Sequence, residues 1–119
     1  MYSDRELLEL AAKAAGYAVE WHELVVSRKG RFGLIEHTKK EGFRLNFQRW
    51  DPLTDDGDAL RLAVRLHISP SWSPTKKSVK ASIENDPFLV FGIDATGDDC
   101  ADIRRIIVMS AASIGEAMQ

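Results

Sequence analysis

Apolar positions along this chain recur at helical spacing in three stretches and alternate with polar ones in several others. Leu7, Leu10, Ala11 and Ala14 lie three or four residues apart and predict a helix over 4–15. Ser3-Asp4-Arg5-Glu6 before them is a capping box, in which hydroxyl and carboxylate each accept from the other residue's amide. Gly16 follows as a stop, free to take the left-handed conformation. In Ala59-Leu60-Arg61-Leu62-Ala63-Val64-Arg65-Leu66 the apolar pairs 59/63, 60/64 and 62/66 predict a second helix over 56–67. Its acidic start complements the positive end of the helix dipole. Ile103, Ile106, Ile107, Ala111, Ile114 and Met118 form one broad stripe on a third helix, opened by Gly97-Asp98-Asp99 with an acid as cap.

Between these helices the period shortens. Val19–Ser27 and Arg31–His37 are apolar enough for two paired strands, with Arg28-Lys29-Gly30 as the connection. Phe43, Leu45 and Phe47 alternate with polar neighbours and predict a short edge strand or a packed loop. Val79, Ala81 and Ile83 alternate with Lys80, Ser82 and Glu84, Asn85-Asp86-Pro87 signals a turn, and Phe88–Ile93 reads as a central strand. Ser69–Lys77, with two prolines and three serines, reads as a loop. The expected fold is α+β, a single domain over 1–119. Three helices pack an antiparallel sheet of about four strands built from two hairpins, in the order α-β-β-α-β-β-α. The second half repeats the plan of the first: hairpin, acidic cap, amphipathic helix.

Composition narrows the class without naming an activity. The 119 residues carry 16 basic and 18 acidic side chains, a net charge of -2, which disfavours a strongly basic nucleic-acid binder. Hydrophobic residues make up 45%, as in an ordinary folded domain. One cysteine, Cys100, excludes an internal disulfide framework and fits a reducing compartment. No apolar run approaches the ~20 residues of a membrane span, and the polar start lacks the pattern of a secretory signal, so the expected location is cytoplasmic with no membrane partner.

Two stretches carry a family resemblance: Trp50-Asp51-Pro52-Leu53-Thr54-Asp55-Asp56-Gly57-Asp58-Ala59-Leu60-Arg61-Leu62-Ala63-Val64, and Gly97-Asp98-Asp99-Cys100-Ala101-Asp102-Ile103-Arg104-Arg105-Ile106-Ile107-Val108. With the short helix before them they resemble small phage and prophage proteins of the "phage ABA sandwich" type. Members more often carry Pro where Cys100 stands and Asn where Asp51 stands. The resemblance implies helices on both sides of the sheet and a phage or prophage origin, where small accessory proteins often act by binding a host protein. It implies no activity.

Candidate chemistry is sparse. Asp55, Asp56 and Asp58, with Asp51 nearby, and Asp98, Asp99 and Asp102 supply oxygen ligands suited to a hard cation. The spacing lacks the glycine and glutamate positions of a calcium loop, so helix capping is the simpler reading. His22 and His37 face each other if the first turn centres on Lys29, and with Glu20 or Glu36 they would make a zinc site. His67 stands apart. Cys100 lies near a helix start, which favours a thiolate, but no histidine is paired with it by spacing. Ser110 and Ser113 read as small packing residues. Arg28, Lys29, Arg31, Lys39, Lys40 and Arg44 form a basic segment interleaved with Phe32, Phe43 and Phe47, a composition that can bind single-stranded nucleic acid. Trp72 reads as the best single partner contact, with Trp50, Arg104 and Arg105 as further contact candidates, although Pro52 and Leu53 beside Trp50 favour the core for it.

No catalytic residue and no cofactor is legible, and the reading leans away from an enzyme. The expected function is a non-catalytic protein-interaction module, an accessory protein of phage or prophage type acting on a host or phage protein or on a second copy of itself. The first alternative is a small-molecule or nucleotide-binding module, or an enzyme, using the acidic helix starts with Arg104 and Arg105. The second is a nucleic-acid binder through residues 28–44. A gel-shift assay across salt concentrations separates that last reading from the first, because phosphate contacts weaken steeply as salt rises.

Overall fold

A computed structural model describes residues 2–23, 30–37, 45–75, 77–84 and 86–118. In these residues three helices and six strands follow one another as α1 (Asp4–Ala15), β1 (Val19–Glu23), β2 (Gly30–His37), β3 (Leu45–Arg49), α2 (Asp56–Leu66), β4 (Ile68–Trp72), β5 (Ser78–Ile83), β6 (Asp86–Asp94) and α3 (Asp99–Ala117). The class is α+β. The strands form two three-stranded antiparallel sheets, β1-β2-β3 and β4-β5-β6, where the spacing predicted about four strands in one sheet. Each half is a three-stranded meander followed by an acid-capped helix, and α1 precedes both.

The helix ends follow local chemistry. Ser3 Oγ accepts from the Glu6 amide and Glu6 Oε1 from the Ser3 amide, closing the expected box. Gly16 ends α1 at φ 76° and satisfies the last carbonyls through its own amide. Asp55 caps α2 and Asp98 caps α3. The second helix stops one residue early: His67 takes the left-handed conformation, φ 56°, that usually belongs to glycine. The expected first strand is seen as Val19–Glu23, and the Leu24–Ser27 part of that expectation lies outside the described residues, as do Arg28 and Lys29 of the expected turn.

The Ser69–Lys77 loop expectation is corrected over its first half. Ile68–Trp72 is an edge strand paired with β5, Pro70 lying opposite Ala81. Two hydrogen bonds bracket this ladder: the Glu84 amide donates to the His67 carbonyl, and the Ser73 amide to the Ser78 carbonyl. Antiparallel alternation between them turns the backbone of Ser69 and Ser71 toward β5 and that of Ile68, Pro70 and Trp72 toward the free edge. Proline is tolerated because the amide it lacks would point away from the ladder. The Asn85-Asp86-Pro87 turn signal is also shifted, since Asp86 and Pro87 already belong to β6, with a register irregularity between Ser82 and Ile83.

α3 is the centre of the packing. Val79, Ala81 and Ile83 point from β5 into the core while Lys80 is exposed, so the helices lie against one face of β4-β5-β6. The helices on both sheet faces that the resemblance implied are not seen among the described residues. On its other side α3 meets α1, the most extensive helix contact in the molecule. Asp4 binds Arg105, Leu10 meets Gly115, and Lys13 Nζ donates to the Met118 carbonyl, so the two helices run parallel. Ala11, Ala12 and Ala15 face a seam containing Ala111, Ala112 and Gly115, and small side chains there let the axes come close. β1-β2-β3 joins the helices through Trp21, over which Arg5 stacks at 4.9 Å, and the molecule extends to 54 × 35 × 25 Å.

Gly115 fixes this seam. A side chain there would place its first carbon 2.8 Å from the Leu10 carbonyl carbon, and closer still to the oxygen. Gly115→Ala would gain about 1 kcal/mol in helix propensity. We expect the overlap with backbone to dominate, lowering urea-determined stability by about 1–3 kcal/mol net. A rise in the denaturation midpoint would contradict this packing. The capping box makes a second prediction. The hydrogen bond from the Ser3 amide, and after it the Ser3 hydroxyl, lower the pKa of the Glu6 carboxylate. Its contribution is therefore present above the unfolded carboxyl pKa and is lost as pH falls through the lower folded value. Carbon-13 NMR should place the Glu6 midpoint below the unperturbed ~4.3, and Ser3→Ala, which removes the hydroxyl and keeps the amide, should move it part of the way back up.

A candidate binding groove between the second and third helices

The apolar arc of α2 is wider than one packing face. Ala59, Leu62 and Ala63 turn inward and are buried, while Leu60 and Val64 are 64% and 67% exposed. They form one wall of a groove of about 670 Å³. Ile103 and Ile107 of α3 line its interior, and Ile68, Pro70 and Trp72 of β4 lie at its side. Asp56 and Asp99 bring the starts of α2 and α3 to this groove, and His67 and Glu84 lie at the other end of α2.

Arg104 holds the acidic end together. Its Nε donates to the Leu53 carbonyl at 2.9 Å and its Nη1 to Asp56 Oδ1 at 2.6 Å. The hydrogen bond and charge of Asp56 raise the guanidinium pKa above its ordinary value, so this cation stays fully charged. One side chain thus ties α3 to both the loop before α2 and its first turn. At the other end His67 Nδ1 lies 3.0 Å from Glu84 Oε2, and the Glu84 amide donates to the His67 carbonyl.

The structure sorts the residues that the sequence singled out. Trp72 is half-buried on the groove, whereas Trp50 is 2% exposed and meets Tyr17 edge-on at 5.8 Å in the core. Trp50 is therefore part of the core, not of the groove surface. Arg104 is a clamp, and Arg105 joins Asp4 across the α1–α3 seam at 3.1 Å. Asp55 caps the Asp58 amide, and Asp58 accepts from the Asp51 amide and pairs with Arg61 at 2.7 Å. Asp98 caps Ala101, and buried Asp102 accepts from the Thr96 amide and hydroxyl at 2.9 and 2.6 Å. These contacts give most of the acids a structural part, and no group of three or more His, Cys, Asp or Glu gathers as metal ligands do among the described residues. Asp56 and Asp99 do share one groove, beside exposed Cys100.

The facing histidines are corrected. His22 lies opposite Arg31, and His37 opposite Leu45 on β3. The six residue steps from Arg31 to His37 span ~20 Å of strand, too far for one ion to bridge. Glu20 and Glu36 lie opposite Gly33 and Asn46. Buried Ser110 returns its hydroxyl to the Ile106 carbonyl, and Ser113 is half-buried on α3. Of the basic segment, Arg28, Lys29, Lys39, Lys40 and Arg44 lie outside the described residues, as does Phe43, and Arg31 is placed by its backbone alone.

Sequence reasoning passed over Leu60, Val64 and Ile103 as groove residues. A signal was present. At 100° per residue the pairs 59/63, 60/64 and 62/66 span about 200° of the helix, more than a single packed face uses. The clamp yields a prediction. Arg104→Met keeps the stem and removes both donors, and should cost about 1–3 kcal/mol in urea denaturation. Amide exchange at residues 56–59 should quicken by more than the global loss explains; unchanged local exchange would count against the clamp.

Among the described residues no helix is long and apolar enough to cross a membrane. Comparison with known proteins finds no matching family model, no matching curated protein and no matching solved structure.

Proposed function

We propose that this chain is a non-catalytic interaction module whose working surface is the groove between α2, α3 and β4. The observation that carries the reading is the exposure of Leu60 and Val64 side by side on an otherwise well-packed helix. Exposed apolar surface that adjoins a concave site is the usual mark of a binding surface. Trp72, singled out from the sequence, lines the same groove and adds an aromatic contact of the kind that dominates interface energetics. The partner is a protein, of host or phage origin if the chain is the phage or prophage accessory protein suggested by residues 50–64 and 97–108. The free thiol of Cys100 suits a cytoplasmic setting.

A second reading has one specific observation in its favour. Asp56, Asp99 and Arg104 converge on the groove, as a small-molecule or nucleotide site built on the acidic helix starts would require. Arg104 is already committed to Leu53 and Asp56, and Arg105 points to α1, which leaves no free arginine or lysine there for a phosphate among the described residues. The interaction reading is therefore preferred.

Leu60→Glu with Val64→Glu places two charges on exposed positions and should alter folding stability by no more than about 1 kcal/mol in total. Affinity capture from host lysate should recover a protein with the parent chain that this double variant loses. Recovery of the same proteins by both chains, or of none above controls, would contradict the proposal.

A further inference from the structure

We infer that the groove takes an amphipathic helix with basic flanks, a deepening that rests on the groove being the working surface. Its shape is that of a trough between two helical ridges. On α2 the lining positions Asp56, Leu60, Val64 and His67 run over three turns, about 16 Å at 1.5 Å per residue. On α3 the facing positions Asp99, Ile103 and Ile107 run over a little more than two. A third helix laid between such ridges buries anchors at i, i+3, i+4 and i+7, the spacing by which helices fill apolar grooves. An extended strand is the poorer fit. The free edge of β4 borders the groove, and Pro70, at its centre, holds the edge-facing position where an added strand would need a donor.

Charge selects the partner's flanks. Asp56, Asp99 and Glu84 stand on the groove walls, and no lysine lines them among the described residues. Arg104, the arginine on this surface, is bound by Asp56 and the Leu53 carbonyl. The two arginines of α2 are turned elsewhere: Arg61 binds Asp58, and Arg65 donates to the Ala15 carbonyl and lies over Tyr17. Asp56 is held by Arg104 and Glu84 lies beside His67, yet three carboxylates against one arginine leave the rim acidic, so lysine or arginine beside the apolar stripe of a partner helix would meet Asp99 and this net negative charge. An isologous contact between two copies would instead set one acidic rim against the other, so a second copy is the weaker occupant.

The test is selection from a display library of random 16-residue peptides on the full chain, with counter-selection on the Leu60→Glu/Val64→Glu variant. Selected peptides are then synthesised and titrated by fluorescence anisotropy, and static light scattering follows the free protein. The expected result is an apolar i, i+3, i+4, i+7 stripe flanked by Lys or Arg. Binding should weaken at least about tenfold in the Leu60→Glu/Val64→Glu variant, a loss near 1.4 kcal/mol. Asp99→Asn with Glu84→Gln should weaken it about threefold to tenfold, and less so at high salt. Peptides with acidic or uncharged flanks, or extended proline-rich ones, would overturn the inference while leaving the groove as a binding surface. A dimer that dissociates in the Leu60→Glu/Val64→Glu variant would overturn it in favour of a second copy. Failure to select any peptide that distinguishes the two chains would overturn both the inference and the reading beneath it.

Discussion

The rest of the structure depends on how close α1 lies to α3. Gly115 and the alanines of the seam let the Leu10 backbone rest almost on the third helix, and the parallel run fixes the register from Asp4–Arg105 to Lys13–Met118. That register decides what remains of α3. α1 covers one side of it from about Arg105 onward and β4-β5-β6 another, so the side of its first two turns that carries Asp99, Ile103 and Ile107 is left toward α2. α2 reaches it through Arg104 at one end and small Ala59 and Ala63 along its inner face. The groove is the space that this division leaves between three elements already held by other contacts.

This explains why an apolar stripe can stay in water on a stable helix. Burial of Leu62, Ala59 and Ala63 anchors α2 without needing Leu60 or Val64. Those two side chains are free to serve binding, and the elements around them are fixed before a partner arrives. Hydrogen bonds at both ends of the trough, from Arg104 to Asp56 and from the Glu84 amide to the His67 carbonyl, tie its surrounding elements together. A preformed apolar site loses less ordering entropy on binding than one that must first assemble.

What the chain reveals in one dimension follows the range of the interaction. Ser3, Glu6, Gly16, Asp55 and Asp98 act within four residues of where they stand, and their caps were legible with the helix starts. The alternation of Val79, Ala81 and Ile83 was legible for the same reason. The strand at Ile68–Trp72 was hidden because Pro70 is a strand breaker everywhere except at an outward-facing edge position, and nothing local says which strand will be the edge. The division into two sheets was hidden because it depends on which strands share a ladder. The pairing of His22 with Arg31 was hidden because the Arg28-Lys29-Gly30 signal centred the hairpin on Lys29, and a shift of register changes every facing pair. The groove was half legible: its residues belong to a visible stripe, but which edge of a 200° arc meets the core is decided by α3.

The central claim, that Leu60 and Val64 form an open apolar surface in the free protein, is tested most directly by solvent paramagnetic relaxation of methyl groups in NMR. A soluble paramagnetic probe should relax the Leu60 and Val64 methyls strongly and leave those of Leu62, Val79 and Val108 nearly untouched, since these three are fully buried. Protection of Leu60 and Val64 to the level of Leu62, at concentrations where the chain is monomeric, would show the stripe to be covered by the chain itself and would contradict the account.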